Sequence, residues 1–132
     1  VAEKFLLDTC LIVWVAKPNG KISAKARETL IHPKSQIFVA SISVAEIARL
    51  YEKNRIVLRD HWKPWLRNVI GSNGWVVLPA TWEIMEEAYS LPPELHGDPA
   101  DRILVATARL HGLALVTPDK KLLDYPHVET IW

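Results

Sequence analysis

The sequence has one cysteine, Cys10, and therefore no internal disulfide, which fits a reducing compartment such as the cytoplasm. Cys10 reads as a small buried residue rather than a nucleophile. Long apolar runs are missing too. The longest, Cys10 to Ala16, has seven residues, against the roughly 20 that a bilayer-crossing helix requires. No membrane span is expected, and the amino-terminal residues lack the basic, apolar and small-residue order of a secretory signal. The five histidines, His32, His61, His96, His111 and His127, show no HxH or HExxH spacing, so a zinc site is not expected. Also absent are GxxxxGK[ST] and GxGxxG, the loops that cradle nucleotide phosphates, and the GxSxG nucleophile elbow. There are no repeats and no low-complexity tracts.

What is present is the composition of one globular domain spanning residues 1–132, with 49% hydrophobic and 23% charged residues. That is too apolar for a disordered chain. Lys and Arg total 16 against 15 Asp and Glu, a balance that points to no particular polyanionic partner. The distribution is uneven. Arg49, Lys53, Arg55, Arg59, Lys63 and Arg67 face only Glu52 and Asp60 within one stretch, whereas Glu83, Glu86, Glu87, Glu94, Asp98 and Asp101 follow one another with no basic residue between them. Two solvated helix faces of opposite sign would produce the same pattern.

Strand-like and helix-like segments alternate. Lys4 to Asp8 is a short apolar run closed by a carboxylate, and Thr9 to Ala16 starts a helix that Pro18, Asn19 and Gly20 break. Ser23 caps a helix through about Ile31, Gln36 to Ala40 is a second strand, and Ser41 and Ser43 are placed to cap a helix from about Val44 to Asn54. A further helix is expected over Asp60 to Ile70, with Pro64 near its first turn and Gly71 and Gly74 after it. Trp75 to Leu78 is a third strand; Thr81 caps a helix to about Leu91. Asp98 and Pro99 open another helix that ends near His111 and Gly112. Leu113 to Thr117 and Val128 to Trp132 supply a fourth and a fifth strand. Strands separated by helices imply an α/β fold with a mainly parallel five-stranded sheet covered on both faces.

In such sheets ligands sit at the carboxyl ends of the strands, near the point where strand order reverses. Four acids fall there. Asp8 ends the first strand, Glu46 lies a helical turn past the second, Asp101 opens the helix before the fourth, and Asp119 follows the fourth by two residues. Asp98 shares the helix start with Asp101. Each also has a local reading: Asp8 and Asp98 as helix caps, Glu46 as an acid answering a helix dipole, Asp119 as a turn residue after Pro118. As a set they need more. Like charges 5 Å apart repel by about 3 kcal/mol at an effective dielectric near 20. A cluster of three or four carboxylates therefore calls for a cation, and hard oxygen donors select Mg²⁺ or Mn²⁺.

The segments LLDT (Leu6 to Thr9), SxxE (Ser43 to Glu46), DPxDRxLxATA (Asp98 to Ala108) and TxD (Thr117 to Asp119) resemble the PIN-domain nucleases. The likeness extends to the VapC-type toxin ribonucleases of toxin-antitoxin pairs and their DPxDR subgroup, although Ala100 stands where that subgroup often has an aromatic residue. The resemblance implies a three-layer α/β/α sandwich with strand order 3-2-1-4-5. It assigns Asp8, Glu46, Asp101 and Asp119 to the acidic quartet, adds Asp98, and gives the hydroxyls of Thr9, Ser43 and Thr117 the task of supporting the carboxylates. One or two Mg²⁺ or Mn²⁺ ions there would activate water for attack on an RNA phosphodiester. Arg102 would steady a phosphate or the carboxylates, or form an ion pair in the helix first turn.

The basic residues Arg49, Lys53, Arg55, Arg59 and Lys63 are candidates for holding RNA phosphates. Trp62 and Trp65 are read as core or interface residues, and Trp14, Trp75, Trp82 and Trp132 as packing. The resemblance further implies a homodimer and a VapB-type antitoxin whose tail occupies a groove between the Val44–Asn54 and Asp60–Ile70 helices. Three other readings compete with a toxin: a PIN nuclease of ribosomal or messenger RNA maturation, a catalytically silent binding module on the same scaffold, and a phospho-receiver. The last needs an aspartate closing its central strand, where this chain has Ala40 and Ser41 or Leu78 and Pro79.

Overall fold

Apolar side chains alternate along the strands because the sheet is covered on both faces. Along β1 (Lys4–Leu7), Phe5 and Leu7 point into one core and Leu6 into the other; along β4 (Ala114–Val116), Ala114 and Val116 separate from Leu115 in the same way. The computed structural model describes residues 3–93, 95 and 97–132. Glu94 of the acidic stretch and His96 lie outside the described residues.

The sheet order is β3-β2-β1-β4-β5, with β2 at Gln36–Ala40, β3 at Val76–Leu78 and β5 at Thr130–Ile131. All four pairings are parallel, with Leu7 opposite Val39 on one side and Val116 on the other. From β1 the chain builds outward through β2 to β3, then returns to lay β4 on the other flank of β1. The reversal of strand order therefore lies between β1 and β4.

The first face is covered by α1 (Thr9–Ala16), α2 (Ala24–Ile31), α3 (Ser41–Glu52) and α4 (Trp62–Asn73), which contribute Leu11, Ile12, Ala26, Ile47, Leu66 and Val69 to its core. The second is covered by α6 (Pro99–His111) and α7 (Lys120–Leu123), through Leu104, Val105 and Leu122. Helix α5 (Trp82–Ala88) packs against α6 through Ile84, Ala88, Ile103 and Ala106. Fully removing such an aliphatic side chain from water stabilises by about 1.5–3 kcal/mol, so the strand ends are held rigidly.

Several boundaries differ from the sequence expectation. Helix α3 starts three residues earlier, at Ser41, directly after β2, with Ala40 as a cap that supplies no side-chain hydrogen bond. Ser41 instead accepts a hydrogen bond from the Ala80 N–H at 2.9 Å, and Ser43 is fully buried. Helix α4 begins at Trp62 behind His61 and runs through Gly71 to Asn73, ending on Gly74 in the left-handed region at φ 67°. Helix α5 stops at Ala88, before Leu91. Trp82 is 77% exposed rather than packed. Trp14, Trp62, Trp65, Trp75 and Trp132 lie half-buried against the first core. No helix among the described residues is long and apolar enough to cross a membrane.

Candidate active site

Asp8 follows β1 at the reversal point. It caps α1: one carboxylate oxygen accepts the Thr9 N–H at 2.7 Å, while the other accepts the Thr117 hydroxyl at 2.7 Å. Thr117 closes β4 and is fully buried; its hydroxyl oxygen also accepts the Asp119 N–H at 3.0 Å. Residues 109 positions apart are thus joined through one hydroxyl. Asp119 caps α7 by accepting the Lys121 N–H at 2.9 Å. Asp98 caps α6 by accepting the Asp101 N–H at 2.9 Å. Three of the five acids therefore serve as helix caps and also belong to this corner of the fold.

Because α3 starts at Ser41, Glu46 lies in its second turn and not in a first turn facing the helix dipole. It accepts a short hydrogen bond from Thr9, whose hydroxyl is also 2.8 Å from that of Ser43. Thr9 has one hydroxyl proton and gives it to Glu46, so Ser43 is the donor in the second bond. The three hydroxyls that the sequence placed beside the carboxylates are buried: Thr9 is 6% exposed, Ser43 and Thr117 0%. Ser43 reaches its acid only through Thr9.

The electrostatics join the acids into one group. Burial pushes the Asp8 carboxyl above its ordinary range, with the Thr117 hydroxyl and Thr9 amide opposing and the charges of Asp101 and Asp119 adding to the rise. Burial likewise raises Glu46, opposed by the Thr9 hydroxyl and reinforced by Asp8, Asp98 and Asp101. Asp101 is raised by burial, opposed by Lys121 and reinforced by Asp98 and Asp119. Each mutual influence raises the carboxyl it acts on, as like charges must. Among the described residues no three acidic, imidazole or thiol groups stand close enough together to enclose a metal ion as placed. The acids surround the corner without closing on a common point.

Two neighbours were not anticipated from the sequence. Lys121 sends its ammonium to Asp101 Oδ2 at 3.2 Å and lies 4.0 Å from Asp119 Oδ2. Gly97 lies against Asp101: a Cβ there would be 2.7 Å from the Asp101 Cβ and 3.1 Å from Oδ2, so a side chain at 97 displaces one or the other. Neither is a carboxylate, although a lysine two residues beyond Asp119 in TPDKK is a visible signal.

Arg102 corrects the expectation made for it. Its guanidinium donates to the Ala88 and Leu95 carbonyls at 3.4 and 3.3 Å and lies 5.8 Å from the Tyr89 ring centre. It ties α5 and the following loop to α6, and among the described residues it makes no ion pair with a carboxylate. Burial pushes the Cys10 thiol up to about 12, which fits an inert packing residue. Arg49, Lys53, Arg55, Arg59 and Lys63 are all exposed, but they spread over α3, the loop after it and α4. Lys63 lines one cavity and Arg59 another, so they do not form a single rim.

The PIN domain profile matches residues 5–128. The chain belongs to the PIN domain family. Among relatives of this PIN domain, Ribonuclease VapC22 of Mycobacterium tuberculosis (strain ATCC 25618 / H37Rv) is 34% identical over 129 residues, covering 96% of this chain and 97% of the relative. Two solved structures share the PIN fold. A toxin-antitoxin complex from Klebsiella pneumoniae has a chain with TM-score 0.70 at 21% identity, covering 96% of this chain and 95% of that one. The structure of VapBC2 from Rickettsia felis, bound to a DNA fragment from their promoter, gives TM-score 0.72 at 16% identity with 97% coverage of each chain. At those identities the likeness is one of fold.

Proposed function

We propose that this PIN domain is a divalent-cation-dependent endoribonuclease, the toxin of a toxin-antitoxin pair, that hydrolyses RNA phosphodiester bonds. The observation that carries the reading is the gathering of Asp8, Glu46, Asp101 and Asp119, remote in sequence, into one electrostatically coupled group where the strand order reverses. The near full-length similarity to a protein named as a ribonuclease supports it. The donor set fits Mg²⁺ or Mn²⁺: its donors are hard carboxylate oxygens, and three of the acids are raised in a manner that a nearby positive charge relieves. In this reading Asp8, Asp101 and Asp119 hold one or two ions, with Glu46 as a ligand directly or through water and Asp98 as an additional one.

A bound divalent ion would supply the positive charge that polarises a scissile phosphate and activates an attacking water. The chain's own residues do the positioning. Thr117 fixes one oxygen of Asp8 and the Thr9 amide fixes the other, so the carboxylate presents a set orientation. The Ser43 to Thr9 relay holds Glu46 in the same way. Attack of water on phosphorus with the 3′-oxygen departing would leave 5′-phosphate and 3′-hydroxyl ends, and no covalent enzyme intermediate is needed, in keeping with the inert Cys10.

Exposed Arg49 on α3, Lys53, Arg55 and Arg59 in the segment after it, and Lys63 on α4 offer phosphates separate points of approach. An apolar groove of about 600 Å³, lined by Val44, Trp62, Leu66, Ile70 and Val77 and edged by Lys63 and Arg67, suits the tail of a VapB-type antitoxin. The exposed row of Trp82 and Met85 on α5 and Tyr89 just after it suits a second copy in a homodimer, and a cytoplasmic setting fits the single reduced cysteine.

The test is to map cleavage ends on RNA treated with the purified chain in Mg²⁺ and in EDTA, alongside Asp8→Asn and Asp101→Asn. Metal-dependent cleavage that falls by roughly a hundredfold in either variant is expected. Cleavage that survives EDTA or persists at full rate in both variants would overturn the assignment; absence of any cleavage would favour a silent binding module.

A further inference from the structure

Lys121 is in the first turn of α7, two residues past Asp119, and its ammonium stands between acids carried by two separate helix starts. It donates to Asp101 Oδ2 at 3.2 Å, on a side chain only 15% exposed, and lies 4.0 Å from Asp119 Oδ2. The backbone reinforces the placement, since the Lys121 N–H donates to the other oxygen of Asp119 at 2.9 Å. Lys120 behaves differently: it is 87% exposed and pairs with Asp124 one turn along the same helix.

We propose that Lys121 is a tethered counter-cation that competes with the divalent ion for Asp101 and Asp119 and thereby sets how tightly this site takes up metal. The inference rests on the metal reading given above. An ammonium and a divalent cation cannot share the same carboxylate oxygens at close range without strong mutual repulsion. Metal binding therefore requires the ammonium to leave. The departure is feasible because the Lys121 side chain is 54% exposed and has a flexible four-carbon stem that reaches open water. The apparent affinity for metal is then the intrinsic affinity reduced by the fraction of molecules in which Lys121 has swung away. A half-exposed ion pair is weak and screened by salt, so the reduction is modest at low ionic strength and disappears at high.

Titration calorimetry of the metal-free 132-residue chain with Mn²⁺ tests this, using the native protein, Lys121→Met, Lys121→Arg and, as a control for net charge, Lys120→Met. Lys121→Met is expected to bind Mn²⁺ about three- to fivefold more tightly at low salt, with Lys121→Arg and Lys120→Met close to native and the gap closing at high salt. Thermal unfolding in EDTA confirms that each variant is folded, and Lys121→Gln replaces the methionine variant if that one is not. An affinity that is unchanged or weaker in Lys121→Met, or an equal gain in Lys120→Met, overturns the inference while leaving the metal site standing. A native chain that binds no Mn²⁺ removes the metal reading, and the inference with it.

Discussion

Asp8 does two things with one carboxylate: it ends a strand by capping α1, and it turns its other oxygen to Thr117 across the strand reversal. A capped acid is anchored at low entropic cost, because the same hydrogen bonds that start the helix fix the side chain. Thr117 is the more sensitive partner, since its buried hydroxyl donates to Asp8 and accepts from the Asp119 N–H. Thr117→Val keeps the shape and removes both bonds. Unfolding in urea at neutral pH is expected to show a loss of about 1.5–3 kcal/mol, the range for hydrogen bonds to charged groups. The Asp8 carboxyl, which the hydroxyl pulls down, is expected to move further up in a ¹³C-detected titration. Thr117→Ser should retain most of both. An Asp8 carboxyl that titrates identically in Thr117→Val would show that the hydroxyl plays no part in its electrostatics.

Among the elements, Arg102 acts as a clasp. It reaches from the first turn of α6 to the carbonyls at the end of α5 and in the loop beyond, so its loss should loosen the α5–α6 pair while leaving the acids where they are. Arg102→Met, which keeps the apolar stem, is expected to cost about 1–2 kcal/mol in urea unfolding with Mn²⁺ affinity within about twofold of native. A large loss of affinity at unchanged stability would return Arg102 to the site. The sequence could not tell these roles apart, because an arginine next to Asp101 fits a phosphate, an ion pair or a clasp equally well, and only the fold shows which atoms it meets.

The same limit explains which elements were legible. Strands β1 and β2 and helices α1, α2 and α6 were readable from periodicity and from explicit caps, Asp8, Ser23, Asp98 and Gly112. The start of α3 was not, because Ala40 offers no capping side chain, and the serines that looked like caps are used elsewhere, Ser41 on Ala80 and Ser43 on Thr9. Four-residue α7 is illegible for the same kind of reason: it is too short for a periodic pattern, and the cap that marks it, Asp119, also fits a turn after Pro118. Strand ends place Asp8 and Asp119, and helix starts place Asp98 and Asp101; Gly97 needs coordinates, and Lys121 is signalled only by its place two residues past Asp119, with nothing in its spacing that refers to Asp101.

For the whole molecule, the raised carboxyls of Asp8, Glu46 and Asp101 determine how stability responds to pH and to metal. Above the ordinary carboxylate value of about 4, these groups ionise in the unfolded chain while the folded protein still holds their protons. Folded molecules then bind more protons than unfolded ones, so stability falls as pH rises through the window up to the raised values. The metal-free chain should accordingly melt at a higher temperature near pH 4 than near pH 7.5 as far as these acids contribute, the reverse of a protein whose carboxylates are satisfied by ion pairs. Divalent ions act in the opposite sense, because the liganding carboxylates must be deprotonated. At a hundred times its dissociation constant a ligand that binds only the folded state adds about 2.7 kcal/mol, and this gain should be larger at pH 7.5 than at pH 4. Melting curves across that range, in EDTA and in saturating Mn²⁺, check both slopes at once. A metal-free chain that gains stability steadily toward neutral pH, with an equal Mn²⁺ effect at both ends, would mean that the acids are not the strained, mutually repelling group their burial implies.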